Sequence, residues 1–144
     1  METKTQSKNG IHSKGQIGFE YLVFTAFLLA MTLVIFVYAF TIYSENVRTT
    51  QVDSALQQLV SAGDFVYARG PGNSTLLTIS LPDGVNSITR DRNAIIIHTQ
   101  LLAGATDFIG LTKAQITSIV ISPSKGFHNI IVSIGDANIT ILEG

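Results

Sequence analysis

Peptide-bond cleavage is the chemistry that the residue pattern near the N-terminus indicates most clearly. Lys14 and Gly15 precede Gln16, and a segment without charge, glycine or proline covers residues 21–43. An ordinary secretory signal has an apolar region of about 7–15 residues followed by a small-residue cleavage site. This segment is longer, and bulky residues stand at its end. The processing point that fits therefore lies before the segment, at Gly15, and cleavage there would leave the apolar residues on the mature chain.

Side chains that could support catalysis or bind a metal are few and scattered. His12 precedes Gly15, His98 lies in a predicted strand and His128 lies at a predicted turn. The aspartates stand mostly beside glycines or in loops, where they serve turn geometry. The phosphate-binding, nucleophile-elbow and zinc-helix motifs are absent from the sequence. We therefore expect no enzyme, no catalytic or cofactor-binding residue, no metal and no cofactor.

Two sequons could carry N-linked glycans. One is Asn73-Ser74-Thr75 and the other is Asn138-Ile139-Thr140. Asn73 follows a predicted turn, whereas Asn138 lies in a predicted strand and would have to face outward. Both are possible glycosylation sites, and chance occurrence of the triplet is the alternative.

Composition limits the size and the partners of the chain. Its 144 residues suit one membrane segment and one small domain. Nine Lys and Arg against ten Asp and Glu give a net charge of −1, and no basic patch is visible. Nucleic acid is therefore not an expected partner. The absence of cysteine excludes disulfides and thiolate metal sites.

The apolar segment predicts a membrane crossing with a defined orientation. A helix needs about 20 apolar residues to cross a bilayer, and residues 21–43 exceed that length. Lys4, Lys8 and Lys14 precede the segment, while Glu45 and Arg48 nearly cancel after it. The positive-inside rule places the N-terminus in the cytoplasm and the C-terminal domain outside.

The same helix is predicted to continue beyond the membrane. No Gly or Pro interrupts residues 19–62, which favours one bent helix over two helices broken near residues 44–48. After Ser44 the pattern becomes amphipathic. Its apolar face contains Val52, Ala55, Leu56, Leu59 and Val66, and its polar face contains Gln51, Asp53, Ser54, Gln57, Gln58 and Ser61. Gly63 and the Gly70-Pro71-Gly72 turn are predicted to stop it.

Short alternating segments separated by turn residues predict a β domain after the helix. Strands are expected at residues 75–81, 85–89, 94–99, 117–121, 127–134 and 137–142, the last two forming a hairpin. Residues 94–99 are expected to be central and buried on both faces. Residues 104–113 are predicted to be a loop with a short strand at 108–111. The fold class is α+β: a long, partly transmembrane N-terminal helix followed by a small antiparallel β-sheet or β-sandwich head.

The residues around Gly15 resemble the class III signal peptides of archaeal type IV pilins. That family has a basic leader, a Gly, and then Gln-x-Ser-x-Glu-x-x-x-Leu. Gly15, Gln16 and Glu20 match, whereas Gly18 replaces the Ser and Phe24 replaces the Leu. The resemblance implies cleavage by a prepilin peptidase between Gly15 and Gln16. It also implies that Glu20 pairs with the N-terminal amine of a neighbouring subunit; the alternative is a last interfacial charge before the bilayer.

The resemblance further implies a pilin-like division of the chain. Residues 1–15 are the leader removed on processing, and residues 16–43 form the transmembrane and filament-core helix. Residues 44–69 continue the helix as an amphipathic segment, and residues 70–144 form an extracellular β-rich head.

The implied function is that of a structural subunit of an archaeal type IV pilus-like surface filament. The subunit would wait in the cytoplasmic membrane until a pilus assembly ATPase and platform proteins add it to copies of itself in a helical filament. Inter-subunit packing is expected at Phe24, Phe27, Leu28, Met31, Leu33, Ile35 and Phe36. The alternative is a single-pass, membrane-anchored extracytoplasmic β domain that acts as a binding module or minor pilin-like component.

Overall fold

The computed structural model describes residues 12–144, with side chains described from Gly18 onward. One helix, α1 (His12–Arg69), precedes seven strands. The strands are β1 (Ser74–Leu81), β2 (Val85–Asp91), β3 (Ala94–Leu101), β4 (Gly104–Leu111), β5 (Gln115–Val120), β6 (Gly126–Ile134) and β7 (Asn138–Glu143). A long N-terminal apolar helix followed by sheets confirms the predicted α+β class.

The second half of α1 follows the predicted amphipathic pattern. The helix runs through residues 44–48 without a break, so one helix rather than two is present; its bend stays a prediction. All five predicted apolar positions are buried, from Val52 to Val66, and all six predicted polar positions are exposed. The 3.6-residue period of the sequence therefore identified the core-facing side correctly.

The predicted helix stop is correct at Gly70 and wrong at Gly63. Gly63 lies inside α1, where an added Cβ would lie 3.3 Å from Ile139 Cδ1 and 3.4 Å from Thr112 Cγ2. Its small size allows the helix to approach the sheets. The helix ends at Arg69, and Gly70 adopts a φ of 87°, a left-handed conformation that glycine adopts without steric cost.

Two sheets supply the rest of the head. The four-stranded sheet has the order β1-β6-β7-β5 and the three-stranded sheet has the order β2-β3-β4. Neighbouring strands are antiparallel except β5 and β7, which are parallel, so the larger sheet is mixed. The sheets meet at β5 and β2, because Ile116 N donates to Arg92 O at 2.7 Å and Arg90 Nη1 donates to Ile116 O at 3.0 Å.

Strand β4 replaces the loop that was predicted over much of residues 104–113. It pairs with β3 along its whole length, from Leu101 opposite Gly104 to Ala94 opposite Leu111. The strand pattern was weak here, so only a short strand at residues 108–111 was predicted, but Gly110 is a packing site. A Cβ there would lie 2.6 Å from Val60 Cγ2, so only glycine fits beneath α1.

Two predictions about individual strands are also wrong. Strand β3 is central in its sheet, but only one of its faces is buried: Ile95, Ile97 and Thr99 are covered, while Ile96 and His98 are half-buried. His128 lies within β6, so its predicted position at a turn is wrong while the strand predicted at residues 127–134 is correct. One-sided burial follows because α1 covers only the inner face of this sheet.

The hydrophobic core belongs to one of two compact units. The unit Ser44–Gly144 contains buried side chains from α1 and from both sheets. In the other unit, Met1–Tyr43, every side chain that the structure describes, from residue 18 to residue 43, is exposed. Among the side chains that the structure describes, the hydrophobic core belongs to the unit Ser44–Gly144.

Candidate functional site

The most distinctive surface is the apolar segment, which we define as residues 18–43 of α1. The described chain contains one helix long and apolar enough to cross a membrane, and none of its most apolar window is buried. Such a helix near the N-terminus suggests membrane anchoring. The polypeptide forms a helix here because neither Gly nor Pro interrupts it after Gly18.

Threonines in the apolar segment hide their polar atoms. The Oγ1 atoms of Thr25, Thr32 and Thr41 donate to the carbonyl oxygens four residues earlier, at 2.8, 2.9 and 2.8 Å. A hydroxyl bonded to its own helix is satisfied without water. The segment therefore presents a nearly apolar surface all round, which suits lipid or a bundle of similar helices.

Helical geometry sorts the predicted packing residues into two groups. At about 100° per residue, five of them fall on one face: Phe24, Phe27, Leu28, Met31 and Ile35. Leu33 and Phe36 lie on other sides of the helix. All seven are exposed, between 49% for Leu28 and 69% for Phe36, and each is free to contact another molecule.

Glu20 lies on that same five-residue face. It is the only Asp, Glu, Lys or Arg in the apolar segment, and its side chain is exposed. Phe19, Val23, Phe24 and Phe27 share with it a shallow hollow of about 400 Å³. A carboxylate at the edge of lipid is costly unless it is paired or reaches the interface, so a partner and an interfacial position both stay open for Glu20.

The predicted processing site can be located only in part. Gly15 and Gln16 belong to α1, but their side chains lie outside those that the structure describes. Residues 1–11 of the predicted leader lie outside the described residues altogether. Cleavage between Gly15 and Gln16 therefore stays a prediction.

A histidine network that the sequence did not reveal crosses the outer face of the three-stranded sheet. His98 Nδ1 lies 2.7 Å from Asp107 Oδ1, and His98 Nε2 lies 3.0 Å from Thr89 Oγ1. A carboxylate, an imidazole and a hydroxyl in this order can activate a nucleophile. Acyl transfer also needs a substrate pocket and donors aimed at an oxyanion, whereas these three side chains lie on an open sheet face. We interpret the network as a polar brace across β2, β3 and β4.

A second histidine is held much more tightly. The side chain of His128 is 5% exposed; its Nδ1 lies 2.6 Å from Glu143 Oε1 and its Nε2 lies 2.8 Å from Ser124 O. A carboxylate and a carbonyl can only accept, so both bonds form when the ring carries two protons. The bond to Glu143 raises the pKa of His128, although burial opposes it. Bonds from His128 and Ser122 N lower the pKa of Glu143.

The two sequons differ in what their acceptor atoms do. Asn73 Nδ2 donates to Arg69 O at 3.1 Å and to Gly70 O at 3.0 Å, so the atom that would carry a glycan closes the end of α1. Asn138 is exposed at the start of β7. The geometry thus favours Asn138 as the glycan acceptor. The sequence had favoured Asn73, because that residue follows a turn.

Among the residues that the structure describes, no group of three His, Cys, Asp or Glu side chains could hold a metal ion.

No family model matches this chain, and no curated protein or solved structure matches it. A long apolar helix followed by a small β-sheet head is nevertheless compatible with a pilin-like architecture.

Proposed function

We propose that this chain is a structural subunit of an archaeal type IV pilus-like surface filament, cleaved by a prepilin peptidase between Gly15 and Gln16. The observation that carries the proposal is the exposed apolar segment, whose only charged residue, Glu20, lies at its start. A permanent anchor needs only apolar length. A carboxylate inside the apolar segment is costly unless it is paired or reaches the interface, and pairing with a neighbouring subunit gives this residue a function.

Glu20 is explained by assembly. Cleavage before Gln16 creates a new α-amine, and Glu20 lies four residues further on, about one helical turn away. A neighbouring helix displaced along the filament axis brings its amine to this carboxylate. Pairing removes the cost of the charge, and the five-residue face around Phe24 and Phe27 packs against the neighbour.

The steps of assembly follow from the same surface. The basic residues before the segment hold the N-terminus in the cytoplasm, where the peptidase acts. The mature subunit stays in the membrane by its apolar segment until the assembly ATPase and platform proteins extract it. Transfer from lipid to a bundle of identical helices is feasible because both surroundings are apolar.

The experiment that tests this function is N-terminal sequencing and mass measurement of the protein from native membranes and from sheared surface material. The proposal expects a chain that begins at Gln16, with that form enriched in the sheared fraction. A chain that begins at Met1 would overturn it.

A second candidate function is a membrane-anchored binding module. The observation that favours it is a groove of about 490 Å³ between α1 and the edge strand β1, lined by uncharged side chains that include Gln57, Phe65 and Leu77. Clefts of this size suit small ligands. This alternative expects detergent-soluble monomers at the cell surface and no sheared high-molecular-weight material that contains the chain.

A further inference from the structure

The turn between β3 and β4 has an unusual composition for a hairpin. Leu102 and Ala103 are its two central residues, because Leu101 pairs with Gly104. Turns favour Gly, Pro, Asn, Asp and Ser, and the other two hairpins of the head contain such residues in their turns, at 92–93 and 135–137. The side chain of Leu102 is 70% exposed. No preference of the turn explains an exposed leucine here, so the residue points to a contact outside the head.

The β3–β4 hairpin lies along α1 with its turn toward the start of the head. After β4, Lys113 N donates to Asp64 Oδ1 at 2.8 Å. At the turn, Leu102 N donates to Glu45 Oε1 at 2.7 Å. The two carboxylates are 19 residues apart on one helix, which corresponds to about 28 Å. The turn therefore lies at the end of the head where the chain arrives from the apolar segment.

Chain connectivity limits the distance between this turn and the apolar segment. Glu45 comes two residues after Tyr43, the last residue of the segment, and two residues span at most about 7 Å. The polar region of a bilayer adds about 5–7 Å on each side of the hydrocarbon core. When the apolar segment crosses a membrane, the backbone bonded to Glu45 therefore lies at the level of the lipid head groups.

The turn itself contains no charge that would oppose a contact with lipid. Residues 93–106 include no Asp, Glu, Lys or Arg. The β1–β2 turn lies beside it, because Gln100 N donates to Gly84 O at 2.8 Å, and there Asp83 is exposed. On α1, Arg48 supplies a charge of the opposite sign three residues after the bond to the turn. Such charges stay hydrated among head groups while an apolar side chain reaches deeper.

We propose that the β3–β4 turn is a second membrane contact, in which the side chain of Leu102 inserts between the head groups and the acyl chains. Lipid is the occupant because the turn lies at the end of the head from which α1 enters the membrane. Insertion gives the exposed leucine apolar surroundings, and such binding grows with the apolar area that is buried. The inference rests on membrane anchoring by the apolar segment, and it holds whether or not the subunit later enters a filament.

Lipid quenching of a fluorescent label tests this contact, and single labels are possible because the chain contains no cysteine. Leu102→Cys carries nitrobenzoxadiazole at the turn. Leu111→Cys is the matched control, 65% exposed at the other end of the same hairpin. The full chain is placed in phosphatidylcholine vesicles that contain phospholipid with a nitroxide near the top of its acyl chain. Quenching at Leu102→Cys is expected to be at least threefold stronger than at Leu111→Cys, and equal quenching would overturn the proposal.

A second variant separates contact from mere proximity. With the label at Ala103→Cys, Leu102→Asn removes the apolar side chain and introduces a residue that turns favour, so the melting temperature of the head should not fall. Lipid quenching of that label is expected to drop by at least half. Unchanged quenching would reject the contact, because proximity to lipid would then come from the chain connection alone.

Two further outcomes would also overturn the proposal. A label at the turn that escapes lipid quenching, and whose emission changes only as the ratio of protein to lipid rises, would identify a second copy of the chain as the occupant. A label at Leu29→Cys, within the apolar segment, that escapes quenching would refute the anchoring on which the contact depends. The filament function is tested separately, by the N-terminus of the mature chain and its presence in sheared material.

Discussion

Glu45 on α1 accepts a hydrogen bond from the backbone nitrogen of Leu102, at 2.7 Å and 57 residues apart in the chain. Leu102 lies in the turn that leads into β4. At the far end of β4, Asp64 Oδ1 accepts from Lys113 N at 2.8 Å. Two carboxylates on one helix thus hold the backbone on both sides of the strand beneath it.

We expect Glu45→Ala to lower the free energy of unfolding of the head by about 0.5–1.5 kcal/mol, because a charge-assisted bond is lost while water can still bind the exposed nitrogen of Leu102. Asp53→Ala removes a carboxylate from the exposed side of the same helix and should change stability by less than about 0.5 kcal/mol. Urea unfolding of the full chain in detergent, followed by the circular dichroism of the head, measures both. Equal losses from the two variants would contradict the role of Glu45.

Gly110→Ala should destabilise the head by about 1–3 kcal/mol through overpacking. The new methyl group would lie 2.6 Å from Val60 Cγ2 and 2.9 Å from Leu56 Cδ1. Gly135→Ala is the control, since its nearest atom would be 3.9 Å away. Adding Val60→Ala to Gly110→Ala should recover part of the loss, measured as melting temperature. A Gly110→Ala variant as stable as the native chain would refute the close contact.

The His128–Glu143 pair predicts a pH optimum for the stability of the head. His128 has a pKa raised above 6.5, so its contribution is complete below pH 6.5 and is lost as pH rises through the folded-state pKa. Glu143 has a pKa lowered below 4.5, so its contribution is complete above pH 4.5 and is lost as pH falls through its folded-state value. Both contributions are present between pH 4.5 and 6.5.

Melting temperature measured from pH 4 to pH 9 checks this window. The native chain should lose stability on the alkaline side, and His128→Gln should flatten that loss. Glu143→Gln should reduce the loss of melting temperature at both high and low pH, because it removes the carboxylate charge on which the contributions of His128 and Glu143 depend. An alkaline limb unchanged in His128→Gln would assign the effect to another group.

Glycan occupancy is expected at Asn138 and not at Asn73. Thr140→Val removes the Asn138 sequon and Thr75→Val removes the Asn73 sequon. In protein isolated from native membranes, only Thr140→Val should lower the glycan mass. A mass loss confined to Thr75→Val would contradict this prediction, because it would show that Asn73 is glycosylated despite its hydrogen bonds to Arg69 and Gly70.

Assembly should depend on the charge of Glu20 and on the apolar face beside it. Glu20→Gln keeps the side-chain size but cannot form an ion pair with an amine, so we expect mature protein in membranes and at least tenfold less in sheared material. Phe27→Asp should abolish filaments by placing a charge in the packed face. Quantitative immunoblots of both fractions provide the readout. Normal filaments from Phe27→Asp would rule out this packing face.

The packing of Gly110 and the partners of the two histidines could not be predicted from the sequence. Residues 104–113 were predicted to be a loop with a short strand at 108–111, because nothing local shows that Gly110 packs against Val60, fifty residues earlier in the chain. His128 and Glu143, and likewise Thr89, His98 and Asp107, become partners only after their strands pair. Outward alternation along β2, β3 and β4 was the one local signal available, and it does not specify which strands lie side by side.

Local patterns alone determined the apolar segment, the amphipathic continuation with Val52 to Val66 buried, and most of the strands. Each of these depends on a period of 3.6 or 2 residues within one stretch of chain. Tertiary structure alone decided the parallel pairing of β5 with β7, the role of Gly63 as a contact, and the close approach of Gly110 to Val60. These features join residues that are distant in the sequence, and packing and strand register, which no local period encodes, bring them together.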